Sequence, residues 1–191
     1  MKNKDVDIIM SLLENNTNTV SISQLSKKLK IDYKNTYNAV KRLEKSNIII
    51  LEKIGKAYNC ILNKNMNPMI FEAEYKRREK LLKNKNFKVL YNKLNHIKFP
   101  FIALIFGSYA KGTSNQHSDI DMIVICDENT KDIERTISLL PLDIHLVTIS
   151  IDEFLKMNKT KEFNVVDEAM KNNIILIGIE DYYRLISDVK P

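Results

Sequence analysis

A Gly-Ser pair, Gly107-Ser108, is followed after ten residues by two aspartates one position apart, Asp119 and Asp121. An apolar run, residues 101–106, leads into the pair, and a second, residues 122–126, follows the acids. A third run, residues 142–149, carries another acid near its start, Asp143. Side chains alternate along a strand, so Asp119 and Asp121 face the same way, roughly 6.5–7 Å apart. Carboxylates that close repel unless a cation lies between them. Mg²⁺ suits the gap, because it takes few protein oxygens and fills its remaining positions with water and substrate phosphate. Two such ions about 3.5–4 Å apart can clamp the attacking and leaving oxygens of an in-line displacement. Asp143, on a neighbouring strand, completes the expected set of metal-holding and catalytic acids.

The Gly-Ser pair complements the acids. Gly107 lets backbone approach a phosphate where a Cβ would obstruct it. Ser108 adds a hydroxyl and opens a helical turn whose free N–H groups favour an anion. Lys111 can place a positive charge on the same phosphates, and Ser118 can orient the intervening loop or reach phosphate.

Residues 106–113, 118–124 and 142–147 resemble the DNA polymerase beta-like nucleotidyltransferase superfamily, and within it the minimal nucleotidyltransferases. The pattern of Gly-Ser, ten residues and Asp-x-Asp is matched in full. Lys111 stands where that family often has Arg, which keeps the charge and loses the bidentate fork. The resemblance covers roughly residues 99–187. It implies transfer of a nucleotidyl group from ATP or another NTP, with two Mg²⁺ ions. It further implies a hydroxyl acceptor on a protein, such as a tyrosine of a HEPN-type toxin modified with AMP. On that reading the chain is an antitoxin. Two rivals stay open: a nucleotide sensor without turnover, and nucleotide addition to a nucleic-acid end. The second is weakened by the lack of length for a primer-gripping domain.

These residues need a scaffold, and composition bounds it. The chain has 191 residues, 44% of them apolar, enough for a packed core. Gly and Pro number four each, which argues against long flexible linkers. Residues 1–65 carry twelve Lys/Arg against six Asp/Glu, residues 66–98 nine against three, and residues 99–191 nine against fifteen. A basic front and an acidic back predict two tasks, with the front half binding a polyanion. Cys60 and Cys126, each inside an apolar run, read as buried thiols of a reducing compartment. No apolar run approaches the ~20 residues of a membrane span, and no secretory signal is expected. A cytoplasmic protein without membrane association follows.

Helical spacing over residues 6–14 is followed by a helix over 24–29 with Ser23 as its cap, and a third over 33–46. Residues 48–52 and 57–62 read as strands around a turn at Gly55-Lys56. This order resembles the winged helix-turn-helix DNA-binding family over residues 4–63. The turn before the third helix lacks Gly, and Asn47 stands where Gly commonly ends that helix, although Asn tolerates the left-handed conformation. The resemblance implies that the third helix enters the major groove of double-stranded DNA. It would present Lys34, Asn35, Tyr37, Asn38, Lys41 and Arg42, with Lys53 and Lys56 on the wing. Asn can pair with adenine, while Lys and Arg take phosphate or guanine. A solvated helix face, or a protein-contact module, is the alternative.

Asn67-Pro68 starts a helix through about residue 83, and residues 87–96 form another. The basic run at residues 75–80 is either a wet helix face or an extension of the DNA footprint. Ser150 and Glu153 form a capping box. A helix over 161–172, a strand over 174–177 and a last helix complete the chain. The expected fold is α/β in the α+β sense. Residues 1–65 form a winged helix-turn-helix, 66–98 a helical linker, and 99–191 a nucleotidyltransferase domain with a mixed sheet and flanking helices. A homodimer is compatible with it. His117 and His145 lie beside the acids and either line the site or are incidental. Tyr109 either stacks on a base or packs inward.

Overall fold

Capping residues and apolar spacing decide where the helices begin. The computed structural model describes residues 4–15, 20–55, 57–115, 117–159 and 164–187. It divides into two compact units, Met1–Lys76 and Arg77–Pro191.

In the first unit, helix α1 (Lys4–Leu13) buries Val6, Ile8, Ile9 and Leu12, a stripe at helical spacing. Strand β1 (Val20–Ser21) precedes α2 (Ile22–Leu29). The cap of α2 is Ser21, not the expected Ser23. Ser21 Oγ accepts from Gln24 N–H at 3.2 Å, and Gln24 Oε1 accepts from Ser21 N–H at 2.8 Å. A Gln three positions on selects Ser21 because it closes the reciprocal box. Asp32 caps α3 (Tyr33–Lys45), whose inner face is Thr36, Ala39, Val40 and Leu43. Asn47 follows with φ +55°, the left-handed role expected of it. Strands β2 (Ile49–Ile54) and β3 (Ala57–Leu62) form an antiparallel hairpin, and β1 joins it in the order β1-β3-β2. The short strand β1 was not anticipated, since two residues carry no periodicity. Burial pushes the Cys60 thiol up to about 12, so it is an inert core group.

Helix α4 (Pro68–Leu81) starts as expected, with Met69 N–H donating to Asn67 Oδ1 at 2.9 Å. The division between the units falls within it. Two members of the basic run, Arg77 and Arg78, turn inward instead of lying on a wet face, while Lys80 is exposed. Arg77 is 5% exposed and donates to the Asn173 carbonyl at 2.5 Å. Arg78 donates to the Leu176 carbonyl at 3.3 Å and lies over the Tyr91 ring at 5.1 Å.

The second unit continues with α5 (Lys85–Leu94) and β4 (Ile102–Ile105). Next come α6 (Gly107–Lys111), β5 (Ile120–Ile125), α7 (Thr130–Ser138) and β6 (Ile144–Ile149). Helices α8 (Ile151–Lys159) and α9 (Val165–Lys171), strand β7 (Ile174–Ile177) and α10 (Ile179–Ser187) complete it. The sheet order is β6-β5-β4-β7. β5 and β6 run parallel, while β4 is antiparallel to both β5 and β7. Ala103, Ile105, Ile120, Met122 and Val124 turn one sheet face into a core with Phe87 and Leu90 of α5 and Ile133 of α7. The helix expected over 161–172 is observed from Val165; residues 160–163 lie outside the described residues. Among the described residues, no helix is long and apolar enough to cross a membrane.

Candidate active site

Strand directions bring the chemistry to one end of the second sheet. β4 runs toward Gly107 while β5 and β6 begin beside it. Phe106 N–H donates to the Asp121 carbonyl at 3.0 Å, closing the ladder just before Gly107. Ile120 pairs with Ile144, and Asp121 with His145, in parallel register. Ile120 N–H donates to the Asp143 carbonyl at 2.9 Å, which continues the ladder one step outward. Asp119 and Asp143 therefore occupy neighbouring positions immediately before their strands. Alternation assigns them to the face of Asp121 and His145, opposite the core face of Ile120 and Met122.

Gly107 shows why this turn takes no side chain. Its φ is +64°, and an added Cβ would lie 1.9 Å from Asp121 Oδ2 and 2.8 Å from its Cγ. The turn thus presses backbone against a carboxylate. Helix α6 has no side-chain cap at Phe106 and ends at Gly112 in the left-handed conformation. Ser108 is half-buried near its start.

The remaining expected residues fall at different places. Lys111 Nζ pairs with Glu168 Oε1 of α9 at 2.7 Å, so its charge is already engaged. Spacing offered no signal for Glu168, which lies 57 residues away. Ser118 orients its loop: its Oγ accepts from Asn115 N–H at 2.9 Å. Tyr109 packs, meeting the Phe87 ring edge-on at 4.9 Å and donating to the Ser118 carbonyl at 3.3 Å. His117 is exposed, its N–H held by Asn115 Oδ1. His145 Nδ1 stands 3.6 Å from Asp121 Oδ1.

The acids share an edge and a face, yet their side chains are not drawn around one point. Among the described residues, no three acidic, histidine or cysteine side chains stand close enough together to hold an ion. In kind, the donors fit Mg²⁺: they are hard oxygens, in a place that Gly107 keeps clear of any Cβ. A cavity of about 460 Å³ opens elsewhere, lined by Phe101, Ile102, Ile125, Cys126, Asp181 and Arg184. It lies at the opposite end of β4 and β5 and contains none of the expected site residues.

Residues 84–181 match the model of the polymerase beta nucleotidyltransferase family, just over half the chain. The chain belongs to that family. Among curated proteins and solved structures, none matches it. The matched span runs from α5 into α10 and contains the Gly-Ser turn and all three aspartates. Nucleotidyl transfer is the activity that polymerase beta membership assigns, and domains of this family use NTP and Mg²⁺. Residues 1–83 lie outside the match.

In that front segment, α3 presents a polar face with several side chains already bound. Arg42 Nη2 and Nε donate to Asp5 Oδ1 and Oδ2 of α1, at 2.6 and 3.3 Å. Lys41 pairs with Glu44, and the Asn35 amide donates to the cap residue Asp32. Lys34 and Asn38 are exposed, and Tyr37 is half-buried, with its ring stacked on that of Tyr33 at 6.4 Å. Lys53 is exposed on β2 opposite Tyr58. Lys56 lies outside the described residues. Asp5 was not anticipated as a partner, because its spacing marks only the first turn of a helix.

Proposed function

We propose that this polymerase beta-family domain moves AMP from ATP to a hydroxyl on a protein acceptor. We further propose that the front unit binds double-stranded DNA as a winged helix-turn-helix. The observation that carries the transferase reading is the register that sets Asp119 and Asp143 side by side, with Gly107 against Asp121.

Asp119, Asp121 and Asp143 would hold Mg²⁺, which when bound neutralises charge on the triphosphate and on departing pyrophosphate. The chain's own groups do the rest. The N–H groups at Gly107 and Ser108 donate to phosphate oxygens. Lys111 has three donors, so it can keep Glu168 and still reach a phosphate. Asp143 takes the proton of the acceptor hydroxyl. The acceptor oxygen bonds to the α-phosphorus as the α–β bridging bond breaks, and pyrophosphate leaves with that electron pair. Positioning and electrostatics supply most of the acceleration in such chemistry.

The resemblance to minimal nucleotidyltransferases supports a protein acceptor such as a HEPN-type toxin, with the front unit repressing its own promoter. A second reading, a regulator that senses nucleotide without turnover, draws on the Lys111–Glu168 pair, which occupies the phosphate cation. Incubating the chain with Mg²⁺, α-labelled ATP and a panel of proteins, RNAs and small acceptors separates the two. Transfer that disappears in Asp121→Ala supports the enzyme. Nucleotide binding with no transfer to any acceptor supports the sensor.

A further inference from the structure

The Asp121–His145 pair is a contact that the three-aspartate scheme leaves unused. His145 faces Asp121 directly across the parallel β5–β6 ladder. Its Nδ1 is 3.6 Å from Asp121 Oδ1, and its side chain is 70% exposed. A polar contact that exposed contributes little energy, so backbone register, not mutual attraction, keeps the groups together. What the register fixes is one imidazole nitrogen and one carboxylate oxygen at the spacing of two ligands. Ligands about 2.1 Å from a common ion lie about 3.0 Å apart at right angles and about 4.2 Å apart when opposite. The observed separation falls between these limits, so a small rotation of the exposed imidazole, without movement of either strand, brings the two atoms to ligand spacing.

We propose that His145 is a metal ligand alongside Asp121, and that it tilts the site toward Mn²⁺ over Mg²⁺. The inference rests on reading this sheet end as the metal site. The physical reason is ligand softness. Mg²⁺ strongly prefers oxygen and parts reluctantly with water, whereas Mn²⁺ shares that taste for carboxylate but belongs to the first-row transition series, which takes imidazole nitrogen more readily. A site of carboxylates alone does not discriminate this way. Placing one nitrogen among the oxygens raises affinity for Mn²⁺ and leaves Mg²⁺ to be held by the acids only. His117, the other histidine near the acids, sits on the loop between α6 and β5 with no register to hold it against Asp121.

The test uses the full chain labelled with ¹⁵N-histidine and titrated with Mn²⁺ alone. Pulsed electron paramagnetic resonance reads nitrogen coupling to the ion, and calorimetry reads affinity for Mn²⁺ and Mg²⁺ separately. The expected result is ¹⁵N coupling in the native chain that persists in His117→Ala and vanishes in His145→Ala and His145→Gln. Mn²⁺ affinity falls about tenfold or more in the His145 variants, while Mg²⁺ affinity changes less than about twofold. Because His145 is largely exposed, these variants should keep the native thermal midpoint. Bound Mn²⁺ without nitrogen coupling, or coupling that survives loss of His145, overturns the role of His145 and leaves the aspartate site standing. Failure of the native chain to bind either ion overturns both.

Discussion

Gly107 and Asp121 are in such close contact that a single methyl group on Gly107 would overlap the Asp121 carboxylate, at 1.9 Å from Oδ2. Gly107→Ala therefore carries two penalties. The left-handed backbone costs about 1–2 kcal/mol. The methyl group also pushes a proposed metal ligand out of place. Gly112→Ala separates them, since Gly112 has φ +70° with nothing within 4 Å of an added Cβ. Both variants should lose similar stability in urea titrations. Only Gly107→Ala should lose metal affinity and label transfer, each by about tenfold or more. Equal loss in both would mean that strain alone, not displacement of Asp121, sets the outcome.

Arg77 is expected to matter for stability and not for polyanion binding. It is buried and donates to the Asn173 carbonyl at 2.5 Å. Asn173 in turn donates to the Ala169 carbonyl at 2.6 Å and to the Tyr182 hydroxyl at 3.1 Å. Arg77→Met removes a charged donor from a buried acceptor and should cost about 1.5–3 kcal/mol. Lys76→Ala, next to it, loses a 3.0 Å pair with Glu72 on a half-exposed face and should cost less than about 0.5 kcal/mol. Chemical denaturation of the two variants checks the contrast.

The sequence carried the site's residues farther than their surroundings. Apolar runs around Gly-Ser and Asp-x-Asp were enough to place Gly107 and the acids at strand ends, because alternation and turn chemistry act over a few residues. The capping boxes at Ser21-Gln24 and Ser150-Glu153 are local in the same way, yet Ser23 competed for the first on residue type alone. Helix α7 went unforeseen, although Ile133 and Ile137 repeat at helical spacing. Long-range charge pairing was illegible. Nothing near Lys111 points to Glu168, and nothing in the run at 75–80 marks Arg77 as buried and Lys76 as half-exposed. Such assignments depend on which elements meet, and that is settled by packing across the whole unit.

The third helix offers a test of which basic residues are available to DNA. Arg42 is held bidentately by Asp5, which ties α3 to α1. Lys41 is paired with Glu44, while Lys34 is exposed in the first turn. Arg42→Ala and Asp5→Ala should each cost about 0.2–1 kcal/mol of stability, and the double variant should cost no more than the larger of the two. Lys34→Ala should leave stability unchanged. On the DNA-binding reading, it should lower the salt dependence of affinity by about one unit of log–log slope. A salt-independent interaction, or none with the chain's own promoter, would remove DNA from the proposed function.

Glu153 predicts a specific acid sensitivity at the start of α8. Its carboxylate accepts the Ser150 backbone N–H and hydroxyl, both at 2.8 Å, and these bonds hold it below its ordinary value of 4.5. The folded chain thus binds this proton less readily than the unfolded chain does. The stabilisation is complete above about pH 4.5 and drains away as pH falls through the lower folded value. Glu153→Gln supplies a neutral acceptor that can keep the box, as Gln24 does at α2. Native and variant thermal midpoints measured from about pH 7 down to about pH 3 should differ most at the upper end and converge at the lower. A gap that stays constant, or widens with acid, would show that the charge on Glu153 does not contribute to the cap.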